Sequence, residues 1–390
     1  MTWKNTAVLN LGFRPFFALA AVFSILATAG WVGAWLLGLQ WPGGTMAAMT
    51  WHAHEMIFGY AMAVVAGFLL TAVRNWTGVQ TLQGMPLLLL VCCWLAARIL
   101  LALGDAVPLL WAAILDCLFN ALLLAAVTGP VLRVRQYRQI GILSKVALLL
   151  MANMLFYAGM LGLFPPGARV GLYTGIYMIV ALILVMARRV LPFFIEKGLG
   201  VPALKNRGWL DVSSLVLFLV FWLVDIWRPD SAVVSALAGL LCLLHGMRLA
   251  GWYRPGVMRV PLLWVLFLAY TALVLGFALK AGVFLFGLSP MLALHAFTYG
   301  GIGLFTLGMM VRVTLGHTGR NIQEPPAVVP LMFIMLITGT LVRVLLPLLD
   351  PLHQPFWVAV AGGLWILPFG IFLASFLPML LQPRADGLPG

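Results

Sequence analysis

Trp51 to Val73 reads WHAHEMIFGYAMAVVAGFLLTAV: two histidines and a glutamate open a run of apolar residues long enough to cross a bilayer. A hydrocarbon core of about 30 Å takes about 20 residues of helix, and lipid offers no partner to an unpaired backbone group, so the run predicts a membrane-spanning helix. The same pattern recurs along all 390 residues, which are 64% hydrophobic and 8% charged. A soluble domain of this size carries far more surface charge. The expected fold class is all-α, a polytopic membrane bundle forming one transmembrane domain over 1–390. Twelve spans are expected, near 15–38, 51–73, 85–104, 108–130, 142–163, 169–191, 210–227, 231–250, 260–281, 290–313, 327–349 and 355–379. Gly, Pro, Asn and Asp punctuate the connections, as in QWPGGT, LFPPGAR and WRPDS.

A net charge of +13 first suggests a nucleic-acid partner, but its distribution argues against one. With the N-terminus placed in the cytoplasm, most of the 23 Lys and Arg fall on the inner side, from Lys4 and Arg14 through Arg133, Arg138, Lys205, Arg207 and Arg254 to Arg384. The outer loops are expected to hold Arg169, Arg228 and Lys280, and Arg98 and Arg343 lie inside spans. This positive-inside bias reports topology, with both termini cytoplasmic. The first helix is read as retained rather than cleaved, because no small-residue site ends a short apolar core. Cys92, Cys93, Cys117 and Cys242 all lie within spans without CxxC spacing and are read as small apolar fillers.

Ionisable groups inside a membrane are costly and tend to be functional. His52, His54 and His295 are expected at similar depth in the outer half, His245 deeper, and His317 at the opposite face, about 33 Å of helix beyond His295. Residues two apart differ by about 200° on a regular helix, so His52 and His54 cannot ligate one metal together. His52 would share a face with Met56, and His54 with Phe58, leaving Glu55 between them. An imidazole beside a thioether suits copper or haem iron. The expected metal ligands are therefore His52, His54, Met56 and His295, with His245 and His317 as further cofactor-binding residues. Arg98 and Arg343 are candidate partners for haem propionates, against the alternative that they neutralise Asp116 and Asp225 on neighbouring helices. The stretch RVTLGHTGR could hold an anion or cap the tenth helix, and Pro192 in RRVLPFFIEKGLG is expected to end or kink the sixth.

Several stretches together resemble the NnrS family: GFRPFF at Gly12–Phe17, WHAHEMIFGY at Trp51–Tyr60, GFLLTAVRNWTG at Gly67–Gly78, RRVLPFFIEKGLG at Arg188–Gly200, and HAFTYGGIG through LGHTGR from His295 to Arg320. The resemblance implies a twelve-helix protein of the bacterial inner membrane that contains haem b and copper and is linked to nitric oxide metabolism or resistance. It carries His52, His54, His295 and His317 over as motif histidines. Where many members have a histidine in the ninth span, this chain has Phe267, which places copper in question. The His52/His54 pair is also similar to the His-x-His pair that holds two haems in haem-copper oxidases and nitric oxide reductases.

The leading expectation is a haem protein that binds, detoxifies or reduces nitric oxide, the last as an oxidoreductase of the nitric oxide reductase type. Glu55 is its candidate catalytic proton donor. The chain has no CxxCH haem attachment motif, so electrons would come from an external donor or quinol. Two other classes stand beside it: a transporter, for which no internal repeat is visible, and a haem or copper carrier.

Overall fold

The computed structural model describes residues 7–39, 44–204 and 206–388, so Lys4, Lys205 and part of the QWPGGT turn lie outside the described residues. Twelve helices are long and apolar enough to cross a membrane. They are α1 Phe13–Leu37, α2 Ala48–Thr77, α3 Met85–Ala102, α4 Leu109–Arg133, α5 Tyr137–Met160, α6 Gly167–Leu199, α7 Gly208–Trp227, α8 Ala232–Trp252, α9 Pro261–Phe286, α10 Pro290–His317, α11 Val328–Leu349 and α12 Pro351–Leu381. Each expected span is met by one helix. Tight turns join them: Gly78 (φ +69°) ends α2 and Gly287 (φ +66°) ends α9, both in the left-handed region that a Cβ disfavours.

Burial is uneven. The apolar windows of α2, α6 and α10 are each 83% buried, whereas most of the others lie between 33% and 44%. Long-lived polar groups inside a bilayer need protein around them, and α2 and α10, which carry His54 and His295, have it.

The chain forms two compact units. The first comprises residues 1–179, 310–322 and 365–390, and the second 180–309 and 323–364, so three boundaries fall within α6, α10 and α12 and the fourth in the connection between α10 and α11. In the first unit α1 packs along α2, and α3, α4 and α5 pack in sequence order. The end of α12 is tied to the start of α1 by Arg14, buried at 0% exposure, which donates to the carbonyls of Leu380 (3.0 Å) and Gln382 (2.6 Å). In the second unit α9 packs most closely on α8.

Several expectations need correction. Pro192 does not end α6, which continues to Leu199 with the proline inside it. Membrane helices tolerate proline where neighbours satisfy the freed backbone groups. Lys280 is not in a loop: α9 runs on to Phe286, and Lys280 is buried within it against Asp225 (2.8 Å) and Asp230 (3.2 Å). Nor is α2 a regular helix, because Glu55–Ala61 forms a π-helical turn. A second π turn, Ala296–Gly303, follows His295 in α10. Such turns are rare and concentrate at functional sites.

Candidate functional site: buried histidine clusters

In the first unit the widened turn of α2 places His54 and Glu55 side by side, both with 0% exposure. Gly59, one turn on, makes room for them: a Cβ there would lie 3.1 Å from the Arg98 guanidinium and 2.5 Å from the ring of Phe23. Glu55 Oε1 accepts from Arg98 Nη1 of α3 at 2.5 Å, and Arg98 Nη2 pairs with Asp116 Oδ1 of α4 at 2.5 Å. The Tyr157 hydroxyl of α5 donates to Asp116 Oδ2 at 3.0 Å. Both ring nitrogens of His54 face oxygens: Nδ1 lies 2.9 Å from Glu55 Oε1, and Nε2 lies 3.0 Å from Asn153 Oδ1 and 3.4 Å from Asp116 Oδ2. The ring stacks on Phe156 with centroids 4.2 Å apart.

Charge balance gives this cluster its character. Two carboxylates share one guanidinium out of water, and the hydrogen bonds they receive offset part of the cost of burying them. Both nitrogens of the His54 ring face oxygens, so the cluster joins four ionisable side chains from three helices with a tyrosine from a fourth.

Two expected roles do not fit this arrangement. Arg98 pairs with Glu55 and Asp116, so a propionate would have to share it with two carboxylates. This is the neutralisation anticipated as the alternative, and Lys280 with Asp225 repeats it in the second unit. His54 would have to break both of its hydrogen bonds to ligate a metal. His52 points elsewhere and stacks on Trp31 at 4.4 Å, while Met56 packs on an apolar cluster that includes Trp51, Phe156 and Tyr157.

At the other end of α2, Asn75 Nδ2 donates to His317 Nε2 at 3.3 Å, and the His317 ring packs on Phe13. The Gly-His-Thr-Gly turn is a helix end. Gly319 has φ +75°, the Thr318 N–H bonds to the Thr314 carbonyl (3.0 Å) and the Arg320 N–H to that of Leu315 (2.9 Å). The C-terminal segment closes over it, with Ala385 N–H on the Thr318 carbonyl (2.9 Å) and Arg384 on that of His317 (3.3 Å). Those two amides point back into the helix and are not offered to an anion.

The second unit holds the other three histidines, of which His353 is exposed and pairs with Asp350 at 2.9 Å. His295 donates from Nδ1 to the Met291 carbonyl at 2.7 Å, which fixes the tautomer with the lone pair on Nε2. The π turn that follows is braced by hydroxyls, with Thr298 donating to the Leu294 carbonyl (2.9 Å) and Thr306 to that of Ile302 (2.7 Å). Tyr299, one turn beyond His295, donates to the Ala361 carbonyl at 2.8 Å, and Arg343 lies within electrostatic reach of it. His245, only 1% exposed, stacks on Phe277 with an interplanar angle of 9°. Its Nδ1 meets the Tyr270 hydroxyl at 2.5 Å and Arg248 Nη1 at 3.2 Å, and its Nε2 has no hydrogen bond. Phe267 is buried against Tyr253.

As a test for haem iron, these rings divide clearly. A metal-bound imidazole presents one nitrogen to the metal and gives the N–H of the other to an oxygen, and His295 is disposed that way. His245 is not, because its Nδ1 faces the donor-only Arg248 guanidinium, and His54 is not, because both of its nitrogens face oxygens. Among the described residues no group of three or more His, Cys, Asp or Glu is placed to hold a metal ion. His52 and Met56 do not make up such a set. Asn153 and Asp116 at His54, and Tyr270 at His245, were hidden from sequence reasoning, since they come from other helices. The only hint was the pairing of intramembrane Arg98 with Asp116.

No curated protein matches the sequence. The model of the NnrS protein family matches residues 7–384, nearly the whole chain, and the protein is therefore a membrane protein of the NnrS family.

Proposed function

We propose that the protein binds haem b in the bacterial inner membrane and binds, detoxifies or reduces nitric oxide, with His295 as an iron ligand and Arg343 as the partner of a propionate. The observation that carries this reading is the His295 ring, whose Nδ1–H is held by the Met291 carbonyl so that Nε2 keeps its lone pair, at the mouth of a π turn. Membership of the NnrS family supports the link to nitric oxide. Bound haem would supply the ligation and one-electron chemistry that side chains lack.

Nitric oxide is small and weakly polar, so lipid itself can deliver it to a buried group and no polar channel is required. Reduction of two molecules to nitrous oxide and water consumes two electrons and two protons. The electrons would come from an external donor or quinol. Glu55 is the proposed proton donor, and because it stands as a carboxylate paired with Arg98 it must take up a proton before it can deliver one. Its Oε1 is shared by His54 and Arg98, and its Oε2 has no hydrogen bond.

The test is a reduced-minus-oxidised visible spectrum with metal analysis on detergent-purified protein, for wild type, His295→Ala and His54→Ala. A b-type signal is expected in wild type, lost or shifted in His295→Ala and retained in whatever His54→Ala protein is folded. A colourless protein from haem-replete cells would overturn the reading and put a transporter in its place.

A further inference from the structure

The second unit contains a cavity of about 160 Å³ between the segment that follows α6 and the end of α8. One buried water needs only about 10–15 Å³ by such a measure, so the space admits a group the size of a phosphate with some of its hydration. Its walls carry three arginines, Arg207, Arg248 and Arg254, together with Asn206 and Trp252, and no acidic residue is among the described residues lining it.

The arginines differ in how they are held. Arg248 is 6% exposed and rigid: Nη2 donates to Asp211 (2.9 Å), to Ser214 (2.9 Å) and to the Leu210 carbonyl (3.1 Å), while Nη1 reaches the Tyr270 hydroxyl (3.3 Å). Asp211 is also claimed by Arg188 at 2.8 Å, so one carboxylate serves two guanidinium groups. Arg207 and Arg254 add two more positive charges beside them. Arg254 is folded back onto its own backbone, donating to the Tyr253 carbonyl at 2.6 Å. Asn206 is set by the Trp252 indole (3.4 Å) and by the Arg188 carbonyl (3.2 Å).

Such a concentration of cations around an open space is repulsive until an anion enters. Planar guanidinium forks match phosphate oxygens, and a buried tryptophan beside them is the side chain that favours the bilayer interface. We propose that this cavity is a binding site for a phosphate-bearing anion, the headgroup of an anionic phospholipid or a free phosphate. Through Arg248 its occupant lies one guanidinium away from Tyr270 and the buried His245.

The full-length protein in neutral detergent provides the test, read as the Tm during titration with inorganic phosphate, with phosphatidylglycerol in mixed micelles, and with phosphatidylcholine as the neutral lipid. Sodium chloride of matched ionic strength is the salt control. A saturable rise with phosphatidylglycerol alone identifies the lipid headgroup, and a saturable rise with inorganic phosphate as well identifies the free anion. Either result must weaken at least tenfold in half-saturating concentration in Arg207→Gln/Arg254→Gln, and must survive in Arg133→Gln/Arg138→Gln, which removes two exposed arginines of the first unit. The proposal is overturned if neither anion exceeds the sodium chloride control, or if both double variants lose the effect equally.

Discussion

His54 and His245 are both buried on membrane helices and both stack on a phenylalanine, yet the two regions around them solve the problem of burying charge in different ways. Around His54 one guanidinium sits between two carboxylates, and both ring nitrogens face oxygens. Around His245 the ring touches a hydroxyl and a cation, the nearby acid is shared by two arginines, and the excess positive charge faces a cavity. The first arrangement is closed, since nothing can be added to it or removed from it without leaving a naked charge. The second leaves a ring nitrogen without a hydrogen bond and a set of guanidinium groups without enough carboxylate. Capacity for a ligand therefore belongs to the region whose internal bookkeeping does not close.

The largest effect that would break this comparison is expected at Arg98. Arg98→Leu leaves two buried carboxylates without their guanidinium and should cost about 3–5 kcal/mol, seen as loss of monodisperse protein on size exclusion. Arg98→Leu/Asp116→Leu restores the wild-type net charge of the cluster and should recover part of it. A double variant no better than the single would show that charge balance is not what holds the cluster.

Phenylalanine at each histidine sharpens the contrast, because it keeps the ring stack and removes the nitrogens. His54→Phe should destabilise by about 3 kcal/mol, as expected for losing hydrogen bonds to charged groups. His245→Phe should cost about 1 kcal/mol. Equal shifts in Tm would erase the distinction drawn here.

Tyr157→Phe and Tyr270→Phe each remove one hydroxyl and are expected to cost about 1 kcal/mol, more for Tyr157 because Asp116 loses a donor. The smallest effect is expected outside the membrane. The Asp386 carboxyl is pulled down to about 2 by its hydrogen bonds to Arg384 and to the Leu388 N–H. A depressed carboxylate contributes above its ordinary pKa and loses that contribution as pH falls toward 2. Wild type and Asp386→Asn should therefore run parallel in Tm from pH 5 to 8 and converge only below about pH 4.

Much of the fold was legible because hydropathy and helix length are properties of single segments. The twelve spans needed no knowledge of their neighbours. What escaped depended on the neighbours. Lys280 looked like a loop residue because a lysine near the end of an apolar run is ordinarily solvated, and only Asp225, more than fifty residues earlier, makes it a helix residue. The apolar pattern continues unbroken through Glu55–Ala61 and Ala296–Gly303, so nothing in it announces a change of helical pitch. For the site, the residue types at His54, Glu55, Arg98 and Asp116 were identified as costly and meaningful. Their role was not, because a histidine that ligates and a histidine that bridges two oxygens differ only in what the second nitrogen meets.

The two π turns have a consequence for the aim of the side chains around them. A π turn fits one residue more into a helix than regular winding allows, about 100° of rotation at 3.6 residues per turn. Both turns begin immediately after a histidine, His54 in one case and His295 in the other. Each imidazole is thereby turned by that angle against everything that follows the turn, so that a ring and the far end of its helix can serve different faces of the bundle.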